Sequence, residues 1–341
     1  ALKYLPSNAD TIEETTQDSF MSFDSDGFTV GSANGFNNAN KKFVAWCWKA
    51  GNTWQSNLDG SIGSIINANT GNGFSIVKYT GTGSTATIGH GLGATPGWIV
   101  VKAITATDNS NWAVYHSSVG NTKALKLSTN AAEDDQDGYW NDTSPTATVF
   151  TVKDYAVVNQ SAKEYIAYCF HDIAGYQKFG TYTGNGNANG PTQTTGFKPD
   201  FVLIKRYDQV SNWVIYDSKR NTGNPRFSYV MPNTSTAEAG SAGDAAPQLD
   251  FLSNGFKPSG TEGYVNANGD NYIYWAVAKN VPSNKIETTP VGACSRNSTF
   301  LSQWPVVPNT HKKEHHERGS YVFKIQRIIP TINVGGPGEL V

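Results

Sequence analysis

A chain of 341 residues has room for two to three domains. Its formal net charge is −2, only 16% of its residues are charged, and Gly, Asn, Ser and Thr are abundant, a near-neutral, hydroxyl-rich composition that excludes a general electrostatic pull towards nucleic acid or an anionic membrane. No apolar run approaches the ~18 residues needed to span a bilayer, and the stretch from Ala1 lacks a signal-peptide pattern.

The first stretch belongs to a pattern that recurs. Ala1, Leu2 and Lys3 match Ala124, Leu125 and Lys126, and further on Phe28 answers Phe150, Phe43 answers Tyr165, Trp46 answers Tyr168 and Cys47 answers Cys169. FDSDGF at 23–28 parallels FLSNGF at 251–256, in each case a turn with Gly at its left-handed position between two short strands. A polar Asn/Gly loop follows at 31–40, as at 260–271, and then an aromatic closing strand. In the first stretch that strand is 43–48, apolar at nearly every position and therefore expected to be central and covered on both faces. Residues 11–19 and 234–246 contain several helix formers but no sustained apolar face of 3.6-residue period.

Residues 52–72 read as a Ser/Asn/Gly linker. Beyond them PGWIVVK at 96–102 matches PDFVLIK at 199–205, and Ser110, Asn111 and Trp112 match Ser211, Asn212 and Trp213. Each pair is a β-hairpin, two runs rich in β-branched and aromatic residues around a polar turn. The upstream strands match too, Tyr79-Thr80-Gly81 with Tyr182-Thr183-Gly184, and the closing strand returns as Tyr272 to Ala276. The spacing of about a hundred residues is far longer than a solenoid unit, so each copy is expected to be a small domain with its own core.

The expected organisation is thus all-β: antiparallel β-sandwich repeats at 73–175 and 176–281, the back half of an earlier one at 1–51, a linker at 52–72, and an extended tail or contact arm at 282–341. Gly175 and Tyr176 run straight into the next strand, so the two whole copies are expected to sit close together. Because the first copy has no front hairpin, the chain is expected to be a processed product, a proteolytic core or part of a longer protein. If it is complete, a partner must cover the half-domain's apolar face. In the tail, residues 321–329 alternate well enough to form a strand, which is expected to add to the sheet edge of a neighbouring subunit.

Candidate chemistry is sparse. Cys47 and Cys169 occupy equivalent positions in different copies and read as core thiols, with Cys294 unpaired in the tail. His311, His315 and His316 lie in a charged run that reads as solvated rather than as a metal site. The acidic loop 133–138 has the oxygen density of a calcium loop without its full ligand pattern. Paired carboxylates for glycoside hydrolysis are missing from the strands, with Asp200 and Asp217 in one copy answered by Gly97 and His116 in the other. No catalytic residue, metal or cofactor is therefore assigned, and a polysaccharide-degrading enzyme is the least favoured class. What remains is a repeated aromatic edge: Trp112 and Tyr115 with His116 in one copy, and Trp213, Tyr216, Asp217 and Arg220 in the other. Aromatic faces beside Asp and Arg suit a neutral polyhydroxylated ligand, although Trp at an alternating strand position is more often core.

The YLPSNADTIEETT segment at 4–16, NTKALKL at 121–127, YIAYCFHDIAGYQKFGTYTGNG at 165–186 and TGFKPDFVLIKR with NWVIYDSKRN resemble the repeat domain of large virion structural proteins of marine tailed phages, cyanophages above all. The resemblance covers about residues 1–279. It implies concanavalin A-like, jelly-roll or lectin-like sandwiches, a virion-surface location, and a non-enzymatic tail-fibre or decoration role. The partners it implies are the chain itself in a homo-oligomer, other virion proteins and host-surface glycan, with no nucleic acid and no membrane insertion. A secreted bacterial adhesin or extracellular filament subunit is the alternative.

Overall fold

The computed structural model describes residues 3–280, apart from 25–26, 108 and 241–245, together with the backbone of 324–325. The first stretch carries β1 (Leu5–Pro6), β2 (Phe20–Phe23), β3 (Phe28–Val30) and α1 (Asn34–Asn37). The middle region holds β4 (Gln55–Asn57), β5 (Ser64–Asn69), β6 (Phe74–Thr80), β7 (Ala86–Gly89), β8 (Trp98–Ala103), β9 (Ala113–His116), β10 (Lys123–Lys126), β11 (Asp134–Asp135), β12 (Val149–Val152), α2 (Ala156–Asn159) and β13 (Glu164–Phe170). The last region holds β14 (Gln177–Thr183), β15 (Gln193–Thr194), β16 (Pro199–Arg206), β17 (Val214–Asp217), β18 (Leu249–Leu252), β19 (Gly255–Pro258) and β20 (Asn271–Ala278), and β21 is Lys324–Ile325. The protein is all-β in this sense: its described helices are two single turns, and its paired strands run antiparallel.

The two sequence copies have the same strand order. In the middle, β6 pairs with β13, β13 with β8 and β8 with β9; in the last, β14 pairs with β20, β20 with β16 and β16 with β17. The closing strand, last in sequence, thus lies between two earlier ones, which satisfies its backbone on both sides, and because both of its faces are covered it is apolar nearly throughout. Shorter pairs form the second layer, β12 on β7 in the middle and β15-β19-β18 in the last.

Side-chain alternation decides what each face of the middle sheet meets. Ile99, Val101, Tyr165, Ala167 and Cys169 enter a core closed by Ile88, Phe150 and Val152. Trp98, Val100, Ile166, Tyr168 and Phe170 face the other way, into a cluster shared with Phe179, Phe201, Trp213 and Trp275 of the last region and with Leu5 and Ala50 of the first. The three stretches are welded by this second cluster. At the joint, the Gln177 side-chain amide donates to the carbonyls of Gly73 (3.0 Å) and His171 (2.6 Å).

Several expectations need correction. Residues 52–72 are not a linker: β4 and β5 extend the middle sheet from the edge of β6, with Ser64↔Tyr79 to Asn69↔Phe74 in register. Edge strands need one covered face at most, so a polar Ser/Asn sequence suffices. Residues 43–48 form no strand; Phe43 is 39% exposed, and Cys47 is half-buried rather than buried like Cys169. Their counterparts β13 and β20 each lie between two strands, and no such pair flanks 43–48 among the described residues. Residues 11–19 and the described parts of 234–246 are not helical, in keeping with their lack of an apolar helical face, whereas the loop 31–40 contains the single turn α1.

Candidate inter-repeat interface

Each hairpin has a lysine at the last position but one of its first strand and starts its second beside a tryptophan, and these four side chains lie where the three stretches meet. Trp112 and Trp213 are completely buried. The backbone N–H of Trp213 donates to Asn233 Oδ1 at 3.1 Å and that of Trp112 to Ser128 Oγ at 3.5 Å, which fixes each ring against the strand that follows it. The indoles reach backwards. Trp112 Nε1 donates to the Pro6 carbonyl at 2.8 Å, and Trp213 Nε1 to the Lys126 carbonyl at 3.1 Å. Each tryptophan thus fastens its own copy to a backbone carbonyl of the copy before it.

The lysines reinforce the same joint. Lys102 and Lys205 are fully buried. Lys102 Nζ donates to the Ser110 carbonyl and stands 5.7 Å from the Trp112 ring centroid. Lys205 Nζ donates to the Ser211 carbonyl at 2.6 Å and to the Asn130 carbonyl of the preceding copy at 3.3 Å. Burial, which disfavours the charged form, pulls Lys102 down to about 8 and Lys205 to about 7; Asp10 and Glu14 act against burial at Lys102, and Arg206 adds to it at Lys205. Two backbone bonds complete the clamp, Ser211 N–H to Asn130 O at 2.8 Å and Glu133 N–H to Tyr207 O at 2.7 Å.

Aromatic rings fill the space behind the clamp. Trp98 meets Trp213 edge-on at 5.8 Å, Trp48 stacks on Trp275 at 4.9 Å, and Trp46 and Trp48 both meet Phe201 edge-on at 5.6 Å. Such pairs add roughly 0.5–1.5 kcal/mol each beyond the area they bury. Residues 1–281, which contain every contact of this interface, match the family described as Domain of unknown function (DUF7483). The chain belongs to the DUF7483 family. No curated protein and no solved structure matches it.

In this DUF7483 chain the six residues expected to line a glycan surface lie inside. Besides the two tryptophans, Tyr115 is buried and meets Trp140 edge-on, and Tyr216 is buried with its hydroxyl donating to the Pro247 carbonyl at 2.9 Å. Asp217 has no exposed side-chain surface: one oxygen accepts the backbone N–H of Lys219 and Arg220 at 2.9 Å, and the other accepts Arg220 Nε at 2.6 Å. Arg220 also reaches Glu238 and the Ile215 carbonyl and lies over Trp46. These groups hold a loop in place, and a sugar has no ring face to stack on. The structure also separates them, since Trp112 and Tyr115 point to opposite faces of the middle sheet. His116 is buried with its pKa lowered to about 4 by desolvation, a neutral ring that accepts Ser118 N–H.

The acidic loop is spoken for as well. Glu133 pairs with Lys123, Asp134 with Lys126 at 2.9 Å and Asp137 with Lys153. Among the described residues no group of three His, Cys, Asp or Glu side chains could hold a metal. Cys294, His311, His315 and His316 lie outside the described residues. No described helix is long and apolar enough to cross a membrane. The sequence reading missed the lysines, although the signal was present: a lysine follows an apolar run at the same place in both copies, WIVVK and FVLIK.

Proposed function

We propose that this chain is a non-enzymatic structural protein made of tandem β-sandwich repeats of about 100 residues, of concanavalin A-like or jelly-roll type, at 73–175 and 176–281, with half of another at 1–51. Its work is to build a rigid rod or shell on the surface of a tailed-phage virion, as tail fibre or decoration, in contact with its own copies and with other virion proteins. The observation that carries this reading is the direction of Trp112 and Trp213, which spend their N–H groups on the copy before them. A repeat that buries its aromatic hairpin edge in a joint is suited to stacking, which favours particle assembly, and host-surface glycan contact would fall to other surfaces. A secreted adhesin or extracellular filament built from the same joints is the second reading.

Immunogold labelling with antibody to this chain separates the two. Gold on phage particles from a lysate of the source culture supports the virion reading; gold confined to cell-surface or shed filaments overturns it. A glycan array probed with the intact chain gives no ligand that Trp213→Phe abolishes, and a hit lost in that variant would restore a sugar site at the hairpin.

A further inference from the structure

Six asparagines of this chain are followed by glycine: Asn34, Asn72, Asn185, Asn189, Asn254 and Asn268. Glycine has no side chain to keep the preceding amide away from its backbone nitrogen, so that nitrogen can close a five-membered ring on the asparagine Cγ. Folding blocks the closure wherever the glycine N–H is held in a hydrogen bond, because attack needs that nitrogen free and the side chain turned onto it.

Five of the six are held in this way. The N–H of Gly73 donates to the Thr70 carbonyl at 3.2 Å, that of Gly186 to Asn266 at 3.0 Å, that of Gly190 to Pro258 at 3.1 Å and that of Gly269 to Gly184 at 2.9 Å. Gly255 closes the two-residue turn between β18 and β19 opposite Leu252, where its N–H belongs to the ladder. The Asn185 amide is tied as well, its Oδ1 accepting the Asn187 N–H at 3.0 Å and its Nδ2 donating to the Asn189 carbonyl at 3.0 Å.

Asn34 and Gly35 are the exception. Both are exposed, and among the described residues neither the Asn34 amide nor the Gly35 N–H has a hydrogen-bond partner. They lie in the single turn α1, which is closed by two bonds, from the N–H groups of Phe36 (2.9 Å) and Asn37 (3.0 Å) to the Ala33 carbonyl, and has no side-chain cap. One turn held by two bonds opens at little cost, since a single turn is unfavourable by itself, and its opening lets the Asn34 amide rotate onto the Gly35 nitrogen.

We propose that Asn34 is a site of self-modification, converted to isoaspartate and aspartate through a succinimide formed with Gly35. The Gly35 nitrogen gives its proton to hydroxide and attacks Asn34 Cγ; the new C–N bond forms as the Cγ–Nδ2 bond breaks, and the amide nitrogen leaves as ammonia. Water then opens the ring. Attack at one carbonyl gives aspartate, and attack at the other gives isoaspartate, whose main chain runs through Cβ. Each event consumes one water and releases one ammonia, with no change of oxidation state.

The site adjoins a support of the inter-repeat joint. The Phe36 ring meets Tyr4 edge-on at 5.3 Å, Tyr4 exchanges backbone bonds of 3.0 and 2.9 Å with Glu14, and the nearby Pro6 carbonyl takes the Trp112 indole. Isoaspartate adds an atom to the main chain two residues before Phe36, which draws that ring off Tyr4 and loosens the stretch that receives Trp112.

Peptide mapping by mass spectrometry tests it. The intact chain is kept in warm, mildly alkaline buffer, and the amide-to-acid mass change is followed at all six asparagines. Asn34 is expected to convert at least about tenfold faster than each of the other five in the folded chain, and to lose that lead in urea, where no glycine N–H is held. Part of the product at 34 should resist a protease that cuts only before ordinary aspartate, which marks it as isoaspartate. Gly35→Ala, whose methyl group crowds the ring closure and which suits a helical turn, should suppress conversion at 34 and leave the other five unchanged; the φ of Gly35 is not in the left-handed region. Hydrogen exchange at residues 4–6 should be faster in the converted chain than in the fresh one. Conversion at Asn34 no faster than at the other five sites, a product free of isoaspartate, or an unchanged rate in Gly35→Ala overturns the site, and unchanged exchange at 4–6 overturns its effect on the joint.

Discussion

Replacing Lys205 by Met should change how the stability of this protein depends on pH, by an amount that follows from its burial. The ammonium lies in the joint, bonded to Ser211 and Asn130, and its pKa falls from 10.5 to about 7 on folding. Between those two values the unfolded chain holds a proton that the folded chain has released, so raising the pH through this window favours the folded state, and lowering it removes that stability. At 1.36 kcal/mol per pK unit the full window is worth on the order of 5 kcal/mol, and the interval from pH 7.5 to 9.5 about 2.5 kcal/mol. Lys102, the buried tyrosines and Cys169 titrate as well, and their effects cancel when the variant is subtracted from the parent. The assay is urea unfolding followed by tryptophan fluorescence at the two pH values. The parent should gain about 2.5 kcal/mol on Lys205→Met as the pH rises; a gain below about 0.5 kcal/mol would refute the claim that Lys205 is desolvated in the joint.

The remaining predictions concern the same joint and its supports. Trp213→Phe keeps most of the ring volume and loses the bond to Lys126, and should cost about 1 kcal/mol, whereas Trp213→Ala opens a cavity beside Trp98 and should cost about 3–5 kcal/mol in thermal or urea unfolding. Asp217→Ala leaves the Arg220 guanidinium, itself only 6% exposed, without its nearest carboxylate, and a loss of about 3–5 kcal/mol is expected; a loss below about 1 kcal/mol would mean that Glu238 suffices. Gly73 has a φ of +62°, and a Cβ there would stand 2.8 Å from the Gln177 amide and from Ile173. Gly73→Ala should therefore loosen the joint, read as faster hydrogen exchange at 171–177 with β6 and β13 still protected.

The hairpins, the repeated closing strands and the all-β class were legible because β-branched and aromatic runs between Gly/Asn turns are a local signal, and internal repetition shows it twice. Alternation along a strand is local too, and it separates Trp98 and Val100 from Ile99 and Val101 as the two cores do. What covers each face is a non-local fact. The neighbours of Trp112 and Trp213 are a carbonyl 106 residues away and one 87 residues away, so a buried joint and an exposed sugar platform have the same sequence pattern. The same reason explains the strands. The apolar 43–48 stays unladdered because no described strand offers it an edge, and the polar 64–69 and 55–57 become strands because β6 offers an edge to the first and β5 to the second. Sequence determined which segments are able to pair and which side chains travel together. Only the tertiary structure decided which edges met and which faces closed, because burial and pairing are properties of neighbours in space, and those neighbours are remote in the chain.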